Sequence, residues 1–321
     1  MRSGYDLLLE KPIANTLEDC QDIYTTAKAL NRKVIVCHVL RYSPFYSRIK
    51  DIIDNGEIGK IVSIHASENV GYYHQAHSFV RGPWRNSKAS SPMILAKCCH
   101  DMDIFRWLIG ESCVSVSSFG DLTFFRKENA PEVNAEYCSE CKNGECIYRA
   151  QDLYTDFGKV NFRGYFTTKE NKDGILKDLS KTQYDRCVYK CDNDVVDHQV
   201  TIMRFENDVT VAHTMTAFSK EIYRDIKIYG TKGELVGVME NNYIEVRPFN
   251  AEKRIITWES DFTVGGHSGA DQSMMNDIYK TLNGEKVKSV TYIDVSVESH
   301  VMAFAAERSR LNNGTSESCI L

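Results

Sequence analysis

The longest helical pattern in the chain runs from Ser91 to Gly110. Leu95, Cys98, Met102 and Phe105 recur at helical spacing and form an apolar face. Ser90 and Ser91 can cap the start, Pro92 suits the first helical position, and Gly110 can close the far end. Lys97, His100, Asp101 and Ile104 form a second stripe at i, i+3, i+4 and i+7. A lysine, a histidine and a carboxylate thus lie side by side on an otherwise apolar helix. Polar groups there cost free energy unless they are paired or face a cleft. The apolar surroundings favour a site over a salt-bridged surface stripe.

Upstream, residues 5–9 form a short apolar run ending at Glu10-Lys11-Pro12, which reads as a buried parallel strand with a charged pair at its edge. A helix from Thr16, its cap, to about Leu30 follows, then a second strand over 33–38. This is one βαβ unit, which needs a wider sheet around it. Downstream the pattern predicts a helix over 45–55 and a half-buried strand over 60–69. Residues 71–85 read as a loop rich in aromatic and cationic side chains, either a lid or plain surface. Strands are predicted over 198–206, 209–217, 223–229, 234–239, 242–248 and 254–259, and helices over 270–283 and 294–310. Such a run of antiparallel strands suggests a sheet with helices on one face and a partner subunit on the other.

Composition narrows the class. The 321 residues are 42% hydrophobic and 26% charged, as in a soluble globular protein. A net charge of −5 without a basic run argues against nucleic acid. No apolar run is long enough to span a membrane, and the first residues do not read as a signal peptide. Eleven cysteines without such a signal read as thiols of a reducing cytoplasm. Cys138, Cys141 and Cys146 give C-x2-C-x4-C, followed later by Cys187 and Cys191. That spacing admits a zinc site, against the alternative of reduced thiols in a loop. Asp197 and His198 could reach substrate hydroxyls from a strand edge, or serve only as a turn cap and a strand-face histidine.

Several segments together carry a resemblance. They are Glu10-Lys11-Pro12 after a strand, His38-Val-Leu-Arg41-Tyr-Ser-Pro44, Asn55-Gly-Glu-Ile-Gly59-Lys-Ile, the Lys97/His100 helix ending Arg106-Trp-Leu-Ile-Gly110, Ile228-Tyr-Gly230-Thr-Lys-Gly233-Glu-Leu, and Gly265-Gly-His267-Ser-Gly-Ala-Asp271. In this order they resemble the glucose–fructose oxidoreductase / inositol dehydrogenase / MocA (Gfo/Idh/MocA) family. The resemblance implies a nicotinamide-dependent oxidoreductase that uses NAD or NADP on a sugar, cyclitol or related polyol. It implies an α/β (α+β) chain: residues 1–40 as the C-terminal part of a Rossmann domain, and 41–321 as an open, mainly antiparallel substrate domain that forms homo-oligomers through its sheet. By resemblance, Lys11, Lys97 and His100 are the catalytic candidates. Glu10, Lys11, Pro12, His38, Arg41, Trp84 and Arg85 lie toward the cofactor, and Asp101, Asp197, His198 and His267 toward the substrate.

Two departures qualify this. The commonest family version carries an aspartate where Ala96 aligns, so Lys97 is expected to substitute. The chain also holds no Gly-x-Gly-x-x-Gly turn, the element that lets a pyrophosphate approach a helix N-terminus. Most of the Rossmann domain is therefore expected to be missing. A non-catalytic module that folds or dimerises without nucleotide stands as the alternative.

Overall fold

In the computed structural model, residues 1–156, 162–259 and 269–320 are described. The chain opens with β1 (Leu7–Glu10), α1 (Leu17–Ala29) and β2 (Val34–Cys37). Thr16 caps α1 by accepting from the Asp19 backbone N–H at 3.1 Å. β1 and β2 pair in parallel, with Leu8 opposite Ile35. A tight turn at Val39–Tyr42 leads into α2 (Pro44–Asp54), where Ser43 caps the start and proline occupies the first turn.

The main sheet follows. β3 (Ile61–Asn69) lies at its centre. Two short helices come next, α3 (Tyr72–His74) and a π-helical turn over Gln75–Arg81, then α4 (Met93–Ala96), α5 (Cys99–Ile109) and β4 (Cys113–Asp121). After α6 (Ala150–Thr155) and α7 (Lys172–Leu179) comes a run of strands: β5 (His198–Phe205), β6 (Thr210–Thr216), β7 (Tyr223–Gly230), β8 (Gly233–Val238), β9 (Tyr243–Pro248) and β10 (Arg254–Thr257). α8 (Ala270–Leu282), α9 (Ile293–Leu311) and β11 (Glu317–Ser318) complete the chain. The nine strands order as β10-β9-β8-β7-β3-β6-β5-β4-β11. Every neighbouring pair is antiparallel except β3–β6.

One face of this sheet is covered. Ile49 of α2, Phe105 of α5 and Val301 of α9 pack on Ile64, Val211, Ile228 and Leu235. α9 serves both parts of the chain, because its Val297 joins Ile13, Cys20, Ala27, Val34 and Val36 in a second cluster. The opposite face is open along β5, where Val200 and Ile202 are exposed. This is the mixed, mainly antiparallel architecture expected from the pattern.

Two expectations are corrected and one strand is added. The helix expected over 91–110 is broken at Lys97–Cys98, so α4 and α5 are separate, and Pro92 is the N-cap with no side-chain cap from Ser90 or Ser91. At the break the Ala96 carbonyl accepts from the Lys11 ammonium. The 71–85 segment is largely helical and buried: Gln75 through Arg81 are all in the interior, with the His77 ring stacked between Phe162 and Tyr184 at 4.3 and 4.6 Å. Finally, β4 went unread because Ser115, Ser117 and Ser118 dilute its alternation.

Candidate functional site

β1 ends at Glu10, and the following Lys11–Pro12 peptide is cis. From there Lys11 Nζ donates to the Ala96 carbonyl at 3.0 Å. The Glu-Lys-Pro loop is thereby fastened to the α4–α5 junction, which carries Lys97 and His100. Two residues on, the Ile13 backbone N–H donates to His300 Nε2 at 2.9 Å. His300 Nδ1 faces the Ser296 carbonyl at 3.0 Å, so Nδ1 holds the proton and Nε2 is the acceptor. Burial pushes His300 down to about 3 and His38 down to about 4, which keeps both imidazoles neutral at physiological pH.

His38 adds a third ring. Its Nε2 is 2.7 Å from Ser296 Oγ and 3.8 Å from Asp103, and its ring stands 6.0 Å from that of His100 and 5.9 Å from that of His300. Arg41 grips Asp103 in a fork with both contacts at 2.6 Å, and its guanidinium lies over Trp107 at 5.4 Å. Both members of that pair are buried. A lysine, three histidines and a fixed Arg–Asp pair thus converge from β1, β2, α5 and α9.

A second polar cluster lies on the other side of the same junction. Lys97 Nζ is 3.3 Å from Glu68 of β3, a carboxylate with no exposed surface. Arg224 of β7 reaches Glu68 at 2.5 Å and Asp101 at 2.9 Å. Two cations and two carboxylates form a balanced chain, the arrangement that makes buried charge tolerable. Burial alone would raise the Asp101 carboxyl, but Arg224 outweighs it and holds the group below its ordinary value. Burial, reinforced by Lys97, keeps His74 well below the usual imidazole range.

The remaining expected residues fall elsewhere. Asp197, fully buried, accepts from the Thr123 and Phe124 backbone N–H groups at 2.9 and 2.7 Å and sits 2.9 Å from His198 Nδ1. Its oxygens are committed to anchoring the segment after β4. Arg85 pairs with Asp192 at 2.8 Å, and Trp84 tilts against Phe79 at 6.0 Å. His267 lies outside the described residues. Cys138, Cys141 and Cys146 line one small cavity with Cys187. Among the described residues, one trio has metal-ligating atoms all within 4.8 Å of one another: Cys98, Asp101 and His213. Its carboxylate, however, is already held by Arg224.

Glu68, Arg224, Asp103 and His300 were not singled out in the sequence. Period-two burial along β3 and β7 would have flagged the first two, as charges on an inward face.

The model of the Gfo/Idh/MocA oxidoreductase C-terminal alpha/beta domain matches residues 50–313. The chain belongs to the Gfo/Idh/MocA oxidoreductase family. YteT of Bacillus subtilis strain 168, named as an oxidoreductase, is 24% identical over 294 residues, covering 85% of this chain and 66% of that protein. Inositol 2-dehydrogenase 2 of Saccharopolyspora erythraea is 29% identical over 120 residues, 37% of this chain and 32% of that one. The matches thus span about two thirds of YteT and about a third of this inositol dehydrogenase. Among solved structures, levoglucosan dehydrogenase in complex with NADH and levoglucosan superposes with a TM-score of 0.68 at 18% identity, over 99% of this chain and 74% of that one. At that identity the likeness speaks for the fold. Among the described residues no helix is long and apolar enough to cross a membrane.

Proposed function

We propose that this Gfo/Idh/MocA chain is the substrate-side portion of an NAD(P)-dependent oxidoreductase that moves a hydride to or from a hydroxyl carbon of a sugar, cyclitol or related polyol. The observation that carries this reading is the Lys11–Ala96 hydrogen bond, which joins the Glu-Lys-Pro loop to the junction bearing Lys97 and His100. Family membership supports the reaction class, and relatives named as inositol dehydrogenases support the substrate class.

The chemistry needs a base for the hydroxyl proton and a fixed orientation of the reacting carbon. Lys11 is assigned the base. Its hydrogen bond goes to a neutral carbonyl, whereas Lys97 is committed to the Glu68 carboxylate. Lys97 then orients substrate oxygens as a fixed cation, and His100 binds or relays from the neighbouring hydroxyl. The neutral, buried His300 holds the Lys11 loop in place through the Ile13 N–H, and the neutral His38 is fixed on Ser296. The nicotinamide, when bound, supplies the hydride acceptor or donor. Glu10, Lys11, Pro12, His38 and Arg41 are the residues of this chain that would border it. The phosphate-cradling glycine turn is not among these 321 residues.

The test is a titration of the chain with NADH and NADPH, followed by turnover assays on a polyol and sugar panel. Saturable binding at micromolar cofactor and turnover lost in Lys11→Met support the reading. No binding up to millimolar cofactor would favour a non-catalytic module that folds or self-associates through its sheet.

A further inference from the structure

Among the described residues, Arg81 is a buried charge without a carboxylate counter-charge. Arg81, at the end of the π-helical turn, is 1% exposed. Its Nε donates to the Arg186 carbonyl and one Nη to the Tyr148 carbonyl, both at 2.7 Å. The same Nη lies 3.6 Å from Cys138 Sγ, and the other Nη has no hydrogen-bond partner. Among the described residues no carboxylate pairs with it. A guanidinium does not shed its proton in a protein, and a buried cation among neutral partners is costly. What surrounds it is sulfur. Cys138, Cys141, Cys146 and Cys187 line a small, partly open cavity of about 20 Å³ together with Arg81 and Tyr148.

The backbone fixes this convergence. Cys141 N–H turns back on the Cys138 carbonyl at 3.2 Å. The Cys138 N–H donates to the Asp185 carbonyl at 2.7 Å and the Cys187 N–H to the Glu136 carbonyl at 3.0 Å, clamping the two segments together. All four cysteines are free of disulfides. As a neutral thiol Cys138 offers Arg81 one long N–H···S contact and no counter-charge.

We propose that Cys138, Cys141, Cys146 and Cys187 form a tetrahedral thiolate site for a zinc-type divalent cation, with Arg81 as its buried counter-cation and N–H···S donor. Four thiolates on one dication leave a net −2, which Arg81 reduces to −1. Binding releases the thiol protons to solvent and draws the sulfurs to about 2.3 Å from the ion. In the structure the sulfurs stand further apart than the Cys98–Asp101–His213 atoms. That trio is the weaker candidate, because a dication there would face Arg224 across Asp101.

The test begins with elemental mass spectrometry on the purified chain after dialysis, and with the cobalt(II) derivative. The expected result is one zinc per chain and a sulfur-to-cobalt charge-transfer band of tetrahedral type, neither of which depends on a variant folding. Cys138→Ser and Cys187→Ser are expected to retain less than about a tenth of the zinc, and Cys98→Ser all of it. Arg81→Gln is expected to weaken zinc about 10–100-fold in competition with a chelator, the usual cost of losing a group that supports a metal's ligands. A metal-free chain whose four thiols alkylate in the native state would overturn the proposal. So would a disulfide among them by mass, or metal lost in Cys98→Ser but kept in Cys138→Ser.

Discussion

His300 Nε2 accepts the backbone N–H of Ile13 at 2.9 Å, across 287 residues of sequence. The bond ties α9 to the loop that carries Lys11. Removing the acceptor leaves a buried donor unpaired, which costs about 1–3 kcal/mol. His300→Leu is therefore expected to lower the unfolding free energy from urea titration by that amount, while His300→Gln, which can still accept, recovers part of it. Equal losses in the two variants would show that packing, not the hydrogen bond, sets the contribution.

The same residues make stability fall with acid. His38 and His300 have folded values of about 4 and about 3, below the ordinary 6.5. Between those limits the unfolded chain binds protons that the folded chain refuses, so stability is fully present above pH 6.5 and is lost as pH falls toward 4. Each histidine contributes a slope on the order of 1 kcal/mol per pH unit. His74, His77 and His213 are also held below the ordinary value by burial, so denaturation measured from pH 7.5 to 5 is expected to show the summed slope, reduced in His300→Gln by one histidine's share, about a fifth. A profile that is flat in the parent chain would contradict the burial of these rings.

Glu68 holds two cations at once, Lys97 at 3.3 Å and Arg224 at 2.5 Å. Glu68→Gln leaves positive charge uncompensated in the interior and is expected to cost about 3–5 kcal/mol. Lys97→Met in the same chain restores the balance with Arg224–Asp101, so the double variant is expected to be more stable than Glu68→Gln alone. A simple sum of the two losses, measured by calorimetry, would mean that the groups do not act as one network.

How much of this was legible beforehand depends on the length scale. The strands β5 to β10 and helices α8 and α9 were readable, because their alternation and helical periods are local properties. The Lys97/His100/Asp101 stripe was visible too. Its break was not, since the carbonyl at Ala96 is satisfied by Lys11, 85 residues away. Asp197 beside His198 reads in the sequence as either a site residue or a turn cap, and the backbone N–H groups of Thr123 and Phe124 that occupy its oxygens lie more than 70 residues away. Glu68 and Arg224 could be flagged only as charges on the inward face of a strand, and their partners, like those of His300, lie on distant segments that no local spacing announces.

The acid–base assignment separates the two lysines. Lys11→Met is expected to lower kcat about 10²–10⁴-fold, the range for losing a general base. Lys97→Met is expected to act mainly on KM, because its assigned role is orientation. Steady-state kinetics of the two variants check this: kcat should collapse in Lys11→Met with little change in KM, and KM should rise in Lys97→Met with kcat largely kept. The reverse pattern would transfer the base to Lys97.

The open face of the sheet carries the last expectation. On paired strands Phe119 lies opposite Val200, and Ile202 two residues on is 56% exposed. Burying a side chain such as Ile202 is worth about 1.5–3 kcal/mol, and a two-fold interface counts each residue twice. Ile202→Glu places a charge in that interface on both subunits and is expected to dissociate it, with the fold intact because the position is solvent-facing in a single chain. Light scattering after size exclusion should give a multiple of 36.6 kDa for the parent and 36.6 kDa for the variant. A parent chain that elutes at the single-chain mass at micromolar concentration would remove the sheet as an oligomer surface.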